Sequence, residues 1–179
     1  STETTAQVVR TDAAGDLLWA GWKALVLDPE EPNAFAEPWF LRPALAHLRD
    51  GTEVKLVTVR SDADELIGLM PVTILPRYGR MPVAHVGNWR DFQCFMGTPL
   101  VRRGFAVSFW GAILRLLDRA DWASGFLSVS GLLENGPVHL GLCEAAARMG
   151  RNAAVVHRAH RAALQCGMEP DVYLRNRVG

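Results

Sequence analysis

The runs VKLVTVR (Val54–Arg60) and LIGLMPVTIL (Leu66–Leu75) decide the fold. Val54, Leu56, Val57 and Val59 read as a strand, and the longer, β-branched run after them reads as a second. The connector Ser61-Asp-Ala-Asp-Glu65 is short and polar, so the two strands predict a hairpin. Segments on both sides of this hairpin change to a helical period, which places a sheet inside helical layers.

Upstream, Leu18, Trp22 and Leu25 recur at i, i+4 and i+7, the stripe of a helix with Thr11 or Asp12 as its cap and Pro29 as its stop. Pro38 suits a first helical turn, whereas Pro43 would cost a helix interior about 3 kcal/mol. The expectation is therefore a short turn from Pro38, then a separate helix from about Arg42 to Arg49, closed by Gly51. Downstream, Pro76–Pro82 is a loop, and Val83–Val86 and Gly97–Val101 are short strands. Phe105–Arg119 is the strongest helix, its polar Ser108, Gly111, Arg115 and Asp118 confined to one stripe. A strand over Gly125–Val129 follows. A helix opened by Asn135-Gly136-Pro137 then buries Val138, Leu142, Ala145 and Met149, and Gly150 ends it. Residues 152–158 and 161–166 read as closing strands. The pattern predicts an α/β (α+β) fold with a mixed, mostly antiparallel sheet flanked by helices.

The 179 residues fit one domain, and 49% hydrophobic content with only 10 prolines excludes a disordered or collagen-like chain. Nineteen basic side chains balance nineteen acidic ones, which removes the simplest argument for a nucleic-acid partner. The balance conceals polarity: residues 1–65 carry −6, residues 66–147 +2 and residues 148–179 +4. Such ends are commonly solvated faces, though the basic tail could also lead toward an anionic ligand or another chain. Cys94, Cys143 and Cys166 have no C-x-x-C spacing and make no closed disulfide framework, so a reducing, cytoplasmic location is expected. STETTAQVVRTDAAG lacks the basic start and apolar core of a signal peptide. The most apolar stretch, Phe105–Leu117, is shorter than the ~20 residues that cross a bilayer, so no membrane span is expected.

No G-x-S-x-G elbow, Walker loop or H-E-x-x-H pattern occurs. His139 and Cys143 share a helical face, but two ligands do not make a zinc site, and no metal is expected. His157 and His160 read as solvent-facing. The segment Gly87-Asn-Trp-Arg-Asp-Phe-Gln-Cys-Phe-Met-Gly97 combines aromatic walls with a few polar groups, as a small-molecule pocket requires. Trp89, Arg90 and Phe92 are its candidate lining, unless the segment simply plugs the sheet's open end. Asp91 is a candidate general base, whereas Glu134 is as easily a cap-region charge. Arg102 and Arg103 stand between a strand end and the start of the buried helix, where free N–H groups and the helix dipole suit a phosphate. An ordinary turn with exposed arginines would read the same way.

Taken in order, NAFAEPWFLRPAL, the hairpin VKLVTVR…LIGLMPVTIL, HVGNWRDFQCFMGTPLV, a long apolar helix and HRAALQCGMEPDVYL resemble a known family. They are similar to the N-terminal lobe of GNAT-superfamily acetyltransferases associated with bacterial cellulose and exopolysaccharide biosynthesis, relatives of the Fem-type aminoacyl transferases. The resemblance spans about Asp16 to Gly179 and rests on segment order. It implies a single GNAT-like domain over residues 1–179, the N-terminal half of a longer two-lobe protein. The implied partners are a C-terminal GNAT lobe or a second copy of the chain. It implies acetyl-CoA or another acyl-CoA as co-substrate, with a small-molecule or saccharide-linked amine or hydroxyl as acceptor. In that superfamily a loop written Q/R-x-x-G-x-G/A holds the cofactor pyrophosphate. Gly104 and Ala106 match it, and Arg102 and Arg103 add charge, but the leading position here is Val101. The resemblance further implies two splayed sheet strands, with a free backbone N–H that polarises the thioester carbonyl. First lobes of such tandem proteins are often degenerate as cofactor sites, so the alternative is a non-catalytic recognition module.

Overall fold

The computed structural model describes residues 3–9, 16–123 and 126–160. The hairpin forms as expected: β2 (Lys55–Ser61) pairs antiparallel with β3 (Leu66–Leu75). Val59 faces Gly68 while Arg60 faces Leu66, so Ile67 is the extra residue of a β-bulge. The bulge reverses which side chains reach each face. Leu66 and Leu69 go to one core, and Ile67 and Met70 to the other.

A strand absent from the sequence reading, β1 (Thr4–Val9), adds to the free edge of β2. Thr4 ties it down: its hydroxyl donates to the Ser108 carbonyl at 3.1 Å. On the other side of β3 lie β4 (His85–Asn88) and β5 (Leu100–Val101), both antiparallel to it. β6 (Leu127–Ser128) joins β4 in parallel, making the sheet mixed and mostly antiparallel.

Helices cover both faces. α1 (Asp16–Val26) and α2 (Pro38–His47) bury Leu18, Trp22, Leu25, Leu41 and Leu45 against Leu56, Leu66, Leu69 and Leu100. On the opposite face, α3 (Ala106–Arg119) and α4 (Pro137–Arg148) bury Phe109, Trp110, Ile113 and Val138 against Val57, Val59, Ile67 and Met70. Each such large side chain contributes about 1.5–3 kcal/mol on leaving water. The two helices come close where Gly141 meets Ala106; a Cβ on Gly141 would lie 2.6 Å from the Ala106 Cβ. The Trp110 indole donates to the Val138 carbonyl at 2.9 Å across the same contact.

Two expectations are corrected. One helix runs through Pro43, instead of a turn and a separate helix, because Leu41, Ala44 and Leu45 are all buried and hold it while Pro43 faces solvent. Residues 152–158 form no strand; residues 151–160 are exposed, and the run Ala153–Val156 has no sheet partner among the described residues. Arg151 and Arg158 attach this segment to Asp118 and Glu134. The expected caps Thr11 and Asp12, the strand over 161–166, Cys166 and the start of the strand at Gly125 lie outside the described residues. No described helix is long and apolar enough to cross a membrane.

Candidate functional site

β4 and β5 are two halves of one line along β3. Val72 faces Asn88 and Leu69 faces Leu100, and between them the Trp89 N–H donates to the Pro71 carbonyl at 2.8 Å. The residues between Trp89 and Leu100 leave the sheet. The parallel partner β6 stays for two pairs, Val86 with Leu127 and Gly87 with Ser128, and then departs. Two parallel strands therefore part at Asn88.

Asn88 bridges the parting. Its amide nitrogen donates to the carbonyls of Gly97 and Ser130, both at 3.0 Å. Its oxygen accepts from the Ser130 N–H at 2.9 Å and the Ser130 hydroxyl at 3.3 Å. The Gly97 N–H donates to the Gly131 carbonyl at 2.9 Å. Only glycine fits there, since a Cβ on residue 97 would lie 2.0 Å from the Ser130 carbonyl oxygen.

Outside this bridge opens a cavity of about 560 Å³ bordered by Asn88, Arg90, Asp91, Phe92, Cys94 and Ser130. Arg90 spans its floor: Nε donates to the Ser130 hydroxyl and a terminal nitrogen to the Cys94 carbonyl, each at 3.2 Å. Asp91 is buried, and one of its oxygens accepts the Gln93 N–H at 3.0 Å. Burial pushes the Cys94 thiol pKa up, which keeps it protonated at neutral pH and removes it as an activated nucleophile. Arg90 and Phe92 stand on this wall as expected, with Phe92 84% exposed. Trp89 does not. It still follows the strand line, so its side chain alternates into the core with Leu18 and Trp22.

The loop Arg102–Ala106 lies where expected, between β5 and α3, and Gly104 takes a φ of 77° that favours glycine. Several of its donors are already engaged. The Gly104 N–H donates to a Glu30 carboxylate oxygen, and Arg103 Nε pairs with Asp28 at 2.7 Å. That pairing raises the Arg103 pKa. A terminal nitrogen of Arg102 donates to the Leu66 carbonyl at 3.4 Å, while its buried Nε has no partner among the described residues. Ala106 is buried against Gly141.

Asp28–Asn33 behaves as an acidic strap along the edge of β5 that β6 does not reach. The Glu30 N–H donates to the Val101 carbonyl at 2.7 Å, Pro29 bridges Arg102, and the Arg103 N–H donates to the Asp28 carbonyl at 3.1 Å. Asn33 donates to the Thr98 carbonyl at 2.6 Å. Glu31 is only 6% exposed; one carboxylate oxygen accepts the Val138 N–H at 2.9 Å, and the other has no partner among the described residues. Burial raises the Glu31 pKa; the Val138 N–H opposes this, Glu30 adds to it and His139 lowers it. The loop entering α3 and the first turn of α4 thus each hold one of the chain's own carboxylates. Sequence reasoning takes Pro29 only as a helix stop; the signal it passes over is the acidic Asp28-Pro-Glu-Glu31 and its match to Arg102-Arg103.

His139 and Cys143 do meet, Nε2 to Sγ at 3.6 Å, and His139 Nδ1 accepts the Asn135 N–H. No group of three potential metal ligands occurs among the described residues. His157 and His160 are exposed.

No protein family and no curated protein matches the chain. Solved structures do. The chain is similar to an aminoglycoside 6'-N-acetyltransferase from Acinetobacter baumannii, with a TM-score of 0.51, 13% identity, and 92% of this chain and 99% of that one covered. An integron cassette protein from the mobile metagenome of V. cholerae gives a TM-score of 0.51 at 13% identity, covering 99% of both chains. With its mostly antiparallel sheet flanked by helices, the chain has the fold of GNAT acetyltransferases.

Proposed function

We propose that the chain is a lobe of a GNAT-type, acyl-CoA-dependent acyltransferase that transfers an acyl group to an amine or hydroxyl. The observation that carries this reading is the parting of parallel β4 and β6 beside a polar cavity, on this fold. The acceptor nucleophile attacks the thioester carbonyl, its proton passes to a base, and the tetrahedral oxyanion collapses with loss of CoA thiolate. Asp91, buried on the cavity border, is the carboxylate available as that base, and Arg90 supplies positive charge beside it. No covalent enzyme intermediate is needed, which agrees with a protonated Cys94. The acceptor is a small molecule or a saccharide-linked group of envelope or exopolysaccharide metabolism, and a C-terminal lobe or second copy completes the protein. Isothermal titration of the chain with acetyl-CoA and CoA tests the reading. Saturable heat, weakened in Arg102→Ala/Arg103→Ala, supports it; no heat at millimolar ligand removes this lobe as a donor site.

A second reading, a non-catalytic lobe for recognition or assembly, is favoured by one observation: Glu30 and Asp28 sit on the loop where a pyrophosphate would bind. On that reading the titration is silent.

A further inference from the structure

A second groove lies between α1 and α2, far in sequence from Asn88. Its volume is about 800 Å³, within the roughly 300–1,000 Å³ usual for ligand sites. Trp39 stands on its rim at 66% exposure. A surface indole of that size brings little to folding, yet this one is fixed in place. Its N–H donates to a Glu37 carboxylate oxygen at 2.9 Å, and Glu37, the N-cap residue just before α2, makes no side-chain cap to the helix. A second indole, Trp19, stacks on buried Trp22 with ring centroids 5.3 Å apart and planes 14° from parallel, which fixes it to the core. The Arg42 guanidinium lies 4.3 Å from the Trp19 ring centre. Lys23, Val26, Pro38 and Pro43 also line the groove.

The groove therefore offers pinned aromatic surface with cationic donors (Lys23, Arg42) and a carboxylate acceptor (Glu37) around it. That set matches a pyranose, whose C–H face stacks on an indole while its hydroxyls both donate and accept. A nucleotide would also stack. Its phosphates, however, would meet the Glu37 carboxylate at the start of α2, where an anion is otherwise drawn. We infer that the groove of Trp19, Glu37, Trp39 and Arg42 is a saccharide-binding site that takes a neutral pyranose segment. The inference rests on the saccharide-linked acceptor of the reading above and says where it is held. Its test uses no acyl-CoA, so either can fail alone.

The test is a titration of the ¹⁵N-labelled chain with cellotetraose, followed at the indole N–H cross-peaks of its six tryptophans. The expected result is saturable, millimolar movement of the Trp39 and Trp19 peaks, with Trp89, Trp110 and Trp122 unmoved. Trp39→Ala, exposed and so expected to fold, should weaken binding about tenfold or more, and Arg103→Ala should leave it unchanged. Glu37→Gln gives a second variant that keeps the indole acceptor while removing the charge; it should retain sugar binding. Unmoved Trp39 and Trp19 peaks, equal binding by Trp39→Ala, or movement of the same peaks by 3',5'-ADP at lower concentration than by sugar would overturn the inference.

Discussion

At the scale of single residues, two polar side chains decide how the middle of the molecule is closed. Asn88 makes four hydrogen bonds across the strand parting, to partners as far as 42 positions away. Asn88→Ala leaves the Gly97 and Ser130 carbonyls and the Ser130 N–H without that partner, so a loss of about 1–3 kcal/mol is expected in urea unfolding. Nothing in GNWRDFQCFMG distinguishes Asn88 from Asn33 or Asn135, because the distant Ser130 gives it its role. Glu31 works differently. Its folded carboxyl holds a proton to higher pH than the unfolded one, chiefly through burial. Above the ordinary value of 4.5 the folded state then binds more protons than the unfolded, and stability falls as pH rises through the folded value. Glu31→Gln keeps an acceptor for the Val138 N–H without the charge. Its unfolding midpoint should match or exceed that of wild type at pH near 7 and lose that relative advantage near pH 4. Parallel shifts at both pH values would show that the charge is not what matters.

At the scale of elements, hydropathy periods place the β2–β3 hairpin, α1, α3 and α4, since each buries a continuous apolar stripe. They fail where a rule of local geometry is outweighed by burial, or where pairing sets a strand's limits. Pro43 is the first case. It has no N–H to give the Trp39 carbonyl, yet the helix persists because Leu41, Ala44 and Leu45 all face the core. Pro43→Ala should restore that hydrogen bond and raise stability by about 1 kcal/mol, set against the greater freedom it gives the unfolded chain. A differential scan showing a lower midpoint would mean that the proline ring's contacts outweigh the missing bond. β5 and β6 are the second case: both fall within the expected strands 97–101 and 125–129, but pairing with β3 and β4 reduces each to two residues, a limit that no period shows. β1 carries β-branched Thr4, Thr5, Val8 and Val9, but its alternation is weak because it is an edge strand.

At the scale of the whole molecule, the question is what covers the starts of α3 and α4, which pack on one face of the sheet. The strap Asp28–Asn33 does so, with Glu30 on the loop that leads into α3 and Glu31 on the first turn of α4. Helix starts favour anions, and the chain supplies its own. Sequence can show an acidic run and a basic loop, but not that the turn after α1 folds back across β5; that depends on the third dimension. The arrangement makes a sharp prediction. If the strap competes with the diphosphate of an acyl-CoA, Asp28→Asn/Glu30→Gln removes two like charges from beside the loop while preserving shape. Acetyl-CoA affinity should then rise about tenfold or more over wild type, with a steeper loss in added salt. Both side chains are exposed enough that the fold should survive, and Glu30→Gln alone, leaving the Asp28–Arg103 pair intact, should give an intermediate gain. Affinity unchanged in variants that melt as wild type does would mean that the strap is architectural and that the donor thioester is bound elsewhere in the full protein.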